Sequence, residues 1–394
     1  MVIYRKRKMQ GIFKNIDRNT LFSTLLFFSF IFDSGGGLGL RNIGFMLMLM
    51  VLFYELCFNY GKQNTNKYFL LFYCGSLVFL LSTKIIALSN HATFASSSLQ
   101  NFSLYFLLPL YILAKNRYLT IEGYLKSVCI FCIIVLMFFF GRILGVAPIV
   151  QLFGFVATRA DGFLGYAYFD NAFVVFPNVY FQGTLAIVPA AVIMISQQKF
   201  KAFALVMLTL FVAPSRFGVL VCIMFFLILY IKKIYIFLLG STVFVLCIMI
   251  FEIPVFIDFL DMFDLATYGH AVRAGHMESI LFLFNSNLSY FIVGQGPGTM
   301  FYSLGFNGYT DSVEISHFDF VRRYGIIYFI ILNTAFFFLV YRLFNKSTVS
   351  RQLVYGLLAH YIVAISNPVL VSLPFMMFLS ICIVINESNK NVVV

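Results

Sequence analysis

A chain of 394 residues that is 61% hydrophobic and only 11% charged, with a mean hydropathy of +0.94, cannot be a water-soluble domain, since globular chains are nearer half apolar and a quarter charged. Low charge and repeated long apolar runs describe a polytopic α-helical membrane protein, and the continuity of the runs, without strand alternation, argues against a transmembrane β-barrel. The net charge of +12 does not signal nucleic acid, because its placement along the chain is topogenic.

The N-terminus is basic from Arg5 to Lys8 and has no small-residue cleavage site before the first apolar run, so no signal peptide is expected. Twelve apolar segments follow, at roughly 20–34, 43–59, 68–83, 100–114, 127–147, 182–197, 202–214, 217–231, 234–251, 325–341, 352–366 and 369–386. The shorter ones must draw on mixed flanks to reach the ~20 residues of a span. There is no tryptophan, which leaves the 23 tyrosines as interfacial anchors. All seven cysteines fall in or beside apolar runs and read as small buried residues; the C-x-x-C of Cys129 and Cys132 lacks a second ligand pair and reads as packing. No metal site and no cofactor are assigned.

An even number of crossings puts both termini on one face. That face collects 19 of the 27 Lys and Arg, from the Arg5–Lys8 cluster through Lys115, Arg117, Lys199, Lys232 and Arg342 to Lys390. By the positive-inside rule both termini are cytoplasmic. The loops of the other parity include two long ones, 144–181 and 251–324, and long loops in compact proteins usually carry function. The expected architecture is a single all-α membrane domain over 1–394, with about 12 transmembrane helices, two long external loops and interfacial helices in the second of them.

Chemistry is therefore sought outside, where no nucleotide is supplied and an activated substrate must bring its own energy. Arg159 stands in the polar island VATRADGFLGYAYFDN, where it either contacts substrate or pairs with Asp161 or Asp170. Arg216 follows Pro214 in the tight turn APSRFG, a costly place for a charge without a reason. Asp258, Asp261 and Asp264 recur every third residue in FIDFLDMFDL, an amphipathic segment expected along the interface. Arg273 lies between His270 and His276 at helical spacing, which puts all three on one arc. Arginines from three loops suggest a convergent anion site, because a guanidinium grips phosphate in a fork and keeps its charge in apolar surroundings. GQGPG, 294–298, reads as a sharp turn in which backbone approaches a substrate. In DSVEISHFDFVRRYG, Glu314 is either a general base or the third residue of a capping box opened by Asp311. His317 is expected beside Glu314, with Asp319 pointing away and Arg322 and Arg323 at the headgroup level, where they either meet a diphosphate or anchor the helix.

Three of these patterns resemble the O-antigen polymerase family and its relatives, the O-antigen ligases. They are Ser215-Arg216 at an external helix start, Arg273 followed about twenty residues on by GQGPG, and Glu314 eleven residues before Gly325-Ile326. The resemblance implies a GT-C-like fold and a metal-independent, inverting glycosyltransferase. It would move a growing glycan from undecaprenyl diphosphate to an undecaprenyl-diphosphate-linked repeat unit at the periplasmic face of a bacterial inner membrane. Arg216, Arg273 and Glu314 are then the catalytic candidates, and Arg159, His276, His317, Arg322 and Arg323 the substrate-binding ones. Implied partners are the lipid-linked oligosaccharides, membrane lipids and a chain-length-regulating co-polymerase. Alternatives are a ligase, which Glu314 in place of histidine disfavours, and a lipid-linked glycan flippase, which the absence of matched halves disfavours.

Overall fold

A computed structural model describes residues 17–58, 66–90, 102–159, 162–169, 174–213, 215–230, 268–313, 315–365, 367 and 369–388. Its helices are α1 (Arg18–Phe32), α2 (Leu40–Phe58), α3 (Lys67–Ser89), α4 (Leu107–Lys115), α5 (Ile121–Ile143), α6 (Ala147–Arg159), α7 (Val188–Ser196), α8 (Phe200–Val212) and α9 (Arg216–Tyr230). They continue with α10 (Tyr268–Ser286), α11 (Leu288–Val293), α12 (Ser316–Phe344), α13 (Thr348–Val363) and α14 (Leu373–Glu387). Every expected apolar segment except 234–251, which lies outside the described residues, is occupied by a helix. Four of them, α2, α3, α5 and α12, are long and apolar enough to cross a membrane, and the other apolar helices are shorter.

The all-α expectation needs one correction: two antiparallel hairpins interrupt the helices. In the first long loop β1 (Gly162–Phe169) pairs with β2 (Val174–Phe181), Gly162 opposite Phe181 and Phe169 opposite Val174. Their sequences, GFLGYAYF and VVFPNVYF, are rich in the aromatic and β-branched residues that favour strands. Pro177 is tolerated because a two-stranded ribbon has only edge strands. In the second loop β3 (Phe301–Ser303) pairs with β4 (Gly308–Thr310).

The core is organised on α5, the most enclosed of the four long helices. Thr120 caps it by accepting the Gly123 N–H at 3.0 Å. A Cβ on Gly123 would stand 2.3 Å from Ser23 Oγ, so only glycine lets α1 approach this closely. The two helices then mesh through Phe27 on Tyr124 and Phe32 on Phe131, with ring centroids 4.9 and 6.3 Å apart. Tyr124 is fully buried, and its hydroxyl donates to Ala186 O at 2.6 Å, which joins the turn before α7 to the same core.

Helix α12 is broken at Gly325, whose φ of 81° and ψ of 160° are open essentially to glycine alone. The break frees backbone carbonyls in the middle of an apolar helix, and GQGPG satisfies them. The Gln295 N–H donates to Arg322 O at 2.7 Å and the Gly296 N–H to Arg323 O at 3.0 Å. Side chains are excluded on both sides: a Cβ on Gly294 would lie 2.5 Å from Arg323 O, and one on Gly296 2.5 Å from Ala87 of α3. The close approach expected of this glycine turn is therefore to the protein's own helices, not to a substrate.

Candidate functional site

Where the loops between α1 and α2, before α7, before α12 and before α14 meet, they enclose a cavity of about 300 Å³. Its polar lining includes Ser34, Arg41, Gln182, Thr310, Ser312, Ser316, Asp319, Arg323 and Ser372; its apolar walls include Phe30, Phe45, Phe106 and Phe306. These loops share the parity assigned above to the external face.

The turn after α1, DSGGGLGLR, is held by Asp33. Its buried carboxylate accepts the Leu38 and Arg41 N–H groups, each at 3.1 Å. That folds Arg41 back over the glycines: its Nη1 donates to Ser34 O at 2.5 Å, and a Cβ on Gly36 would stand 2.3 Å from its Nη2. Gly37 lies against the end of α6, where a Cβ would fall 2.0 Å from Arg159 O.

Asp319 lines the cavity from α12. Being three and four residues before Arg322 and Arg323 on a helix, it faces both. Its Oδ1 accepts from Arg322 Nε at 2.8 Å and Nη2 at 2.7 Å, and its Oδ2 from Arg323 Nη2 at 2.5 Å. Asp319 thus faces the two arginines, while Glu314, from which it is expected to point away, lies outside the described residues.

Arg322 has no exposed surface. Beyond Asp319, its Nη1 donates to Gln295 Oε1 at 3.2 Å and Thr299 O at 3.1 Å, and its Nη2 to Asp311 O at 2.6 Å. Phe301 stacks on the guanidinium at 4.3 Å. An arginine has five N–H donors, and all of them are used within the protein. Of the two roles expected of Arg322, contact with a diphosphate is closed to it, because it is a buried clamp that ties the 294–313 segment to α12. Arg323, by contrast, presents itself to the cavity with one edge fixed by Asp319.

The remaining sequence candidates are dispersed. Arg159 ends α6 with its guanidinium 4.2 Å over the Phe155 ring; Asp161 and Asp170 lie outside the described residues. Arg216 is the first residue of α9, as expected for a helix start, and its side chain lies outside the described residues. The helix expected through His270, Arg273 and His276 is α10. Arg273 is partly buried there and already engaged. His276 is completely buried, its Nδ1 2.5 Å from Ser303 Oγ and its ring edge-on to Phe306 at 4.3 Å, so it supports a wall of the cavity from behind. His317 Nδ1 donates to Ala364 O at 3.2 Å, and its ring packs against Tyr361. Helix α12 starts only at Ser316, with Ile315 at its N-cap, so Asp311 does not open a capping box there. Glu314 lies outside the described residues, as do Asp258, Asp261 and Asp264, while its neighbours Val313 and Ser316 line the cavity.

Of the candidates with a described side chain, the cavity thus takes in Arg323 alone. It adds Arg41, Asp319 and the hydroxyls of Ser34 and Ser372. A sequence signal for Asp319 existed in its spacing to the two arginines; Arg41 had only its place after a glycine-rich turn. No protein-family model, curated protein or solved structure matches the chain.

Proposed function

We propose that the chain polymerises lipid-linked oligosaccharide repeat units, as an inverting glycosyltransferase that moves a growing glycan from undecaprenyl diphosphate to an undecaprenyl-diphosphate-linked repeat unit. The observation that supports this reading best is the cavity: two guanidiniums, one carboxylate and several hydroxyls gathered among apolar helices. Such a site suits a reaction in which an anionic leaving group departs from a sugar beside lipid. Donors already fixed in place need no reorganisation as charge develops, and Arg323, braced by Asp319, is fixed in this way.

A base must accept the proton of the acceptor hydroxyl. Asp319 already has both carboxylate oxygens engaged by Arg322 and Arg323, which leaves Glu314, between the lining residues Val313 and Ser316, as the group for that role. Arg216 joins Arg323 in stabilising the departing diphosphate, and Arg273, engaged outside the cavity lining, orders the surrounding loops with Arg159, His276 and His317. The reaction takes place at the periplasmic face of the inner membrane, where binding both lipid-tethered partners contributes by proximity and a chain-length-regulating co-polymerase acts on the product.

The test is conversion of purified lipid-linked repeat units to ladders by the reconstituted protein. Glu314→Gln, Arg216→Ala and Arg273→Ala should each abolish ladder formation while leaving the protein folded. Wild-type protein that moves substrate across the bilayer without lengthening it is a flippase, and ladders unchanged by Glu314→Gln remove that residue from the chemistry.

A further inference from the structure

The cavity holds more anion-binding capacity than the protein itself uses. Arg41 Nε is buried without an acceptor, and among the described residues its side chain has no carboxylate partner. Ser34 Oγ and Ser372 Oγ are likewise buried and unpartnered. Ser372 is the N-cap of α14 yet does not cap it with its side chain, although a serine there ordinarily would. Because α14 runs over 15 residues, its positive end adds to the same field. Among the described residues, Asp319 is the acid in the lining, already bound to two arginines. Unsatisfied buried polar atoms are costly to leave so, and here they border one space that Arg41 and Arg323 also line.

We infer that this cavity is a diphosphate-binding site, in which Arg41 from the start of α2 and Arg323 from α12 grip the anion and the hydroxyls of Ser34 and Ser372 complete its coordination. A carboxylate has too few acceptors for two guanidiniums and two hydroxyls, whereas the oxygens of a diphosphate match them. The aromatic walls Phe30, Phe45 and Phe106 give the group esterified to that diphosphate an apolar surface to lie against. The choice of diphosphate over other phosphate anions rests on the polymerase reading; the anion site itself does not.

The full-length protein in detergent micelles is titrated with inorganic pyrophosphate, and in nanodiscs with undecaprenyl diphosphate, following thermal stability and competition in each case. Wild type should be stabilised saturably by at least the lipid-borne ligand, with Arg41→Met weakening binding about ten- to a hundred-fold, as loss of a charged hydrogen-bonding partner implies. Ser372→Ala, which breaks no bond the protein makes to itself, should weaken it about three- to ten-fold without changing the stability of the unliganded protein. Binding of pyrophosphate alone shows that the headgroup suffices; binding of the lipid alone shows that the aromatic walls are needed as well. Absence of saturable binding by either ligand, binding unaffected by both substitutions, or equal protection by phosphatidylglycerol overturns the inference. If Arg41→Met abolishes binding but ladders still form, the anion site stands apart from polymerisation; if binding is intact and wild type forms no ladders, the polymerase reading fails and the site survives.

Discussion

Arg322→Met separates a clamp from a substrate ligand. The substitution keeps the length and apolar body of the side chain but removes every donor. It leaves Gln295 Oε1, Thr299 O and Asp311 O without the N–H that each accepts, and it removes one of the two cations on Asp319. Breaking a buried pair from one side costs about 3–5 kcal/mol, and an orphaned buried acceptor about 1–3 kcal/mol. These costs overlap, so about 4 kcal/mol is a reasonable expectation for the whole change. For the purified protein in detergent this corresponds to a fall in apparent Tm of about 5 °C. Because the lost contacts tie 295–311 to α12, limited proteolysis should cut that segment before any other described loop. Arg322→Lys should be nearly as damaging, since an ammonium has three donors and no planar fork. An Arg322→Met protein with unchanged melting and unchanged proteolysis, but with lost ladder formation, refutes the clamp and restores Arg322 to the substrate.

Gly325→Ala places a Cβ 2.3 Å from Ile292 O at a φ of 81°. The strained backbone alone costs about 1–3 kcal/mol, so the variant should melt well below wild type, whereas Ile326→Ala, one residue on, should not separate the GQGPG turn from α12 in hydrogen exchange. Lys346→Met should loosen the far end of the bundle, because its ammonium donates to Ile385 O at 2.6 Å, Asn386 O at 2.7 Å and Ser388 O at 2.5 Å, closing the C-terminus of α14. A loss of about 1–3 kcal/mol is expected, read as faster exchange in the last turn of α14 with diphosphate binding unchanged; slowed binding instead would tie the two ends of the bundle together.

The helices were legible because their signal is local. Long apolar runs must satisfy their backbone internally, and each described run is helical. The hairpin 162–181 is not legible in the sequence because Arg159, Asp161 and Asp170 mark the stretch as a polar loop, and the pairing of its two strands is not a local signal. The spacing of Asp311 and Glu314 allows a capping box, but α12 starts only at Ser316 and the Asp311 carbonyl is bound by Arg322 instead.

Composition alone determined that this is a mostly helical, strongly apolar chain, and the structure shows four helices long and apolar enough to cross a membrane. The roles of the arginines were decided only by the tertiary structure. A guanidinium in a sequence does not show how many of its donors are already taken, and that count depends on carbonyls and carboxylates brought from distant loops. Arg322 and Arg323 are neighbours in the chain, yet one is spent entirely within the protein and the other faces the cavity. Arg41, 282 residues before Arg323 by their numbering, shares that cavity because Asp33 folds a glycine turn back onto the start of α2.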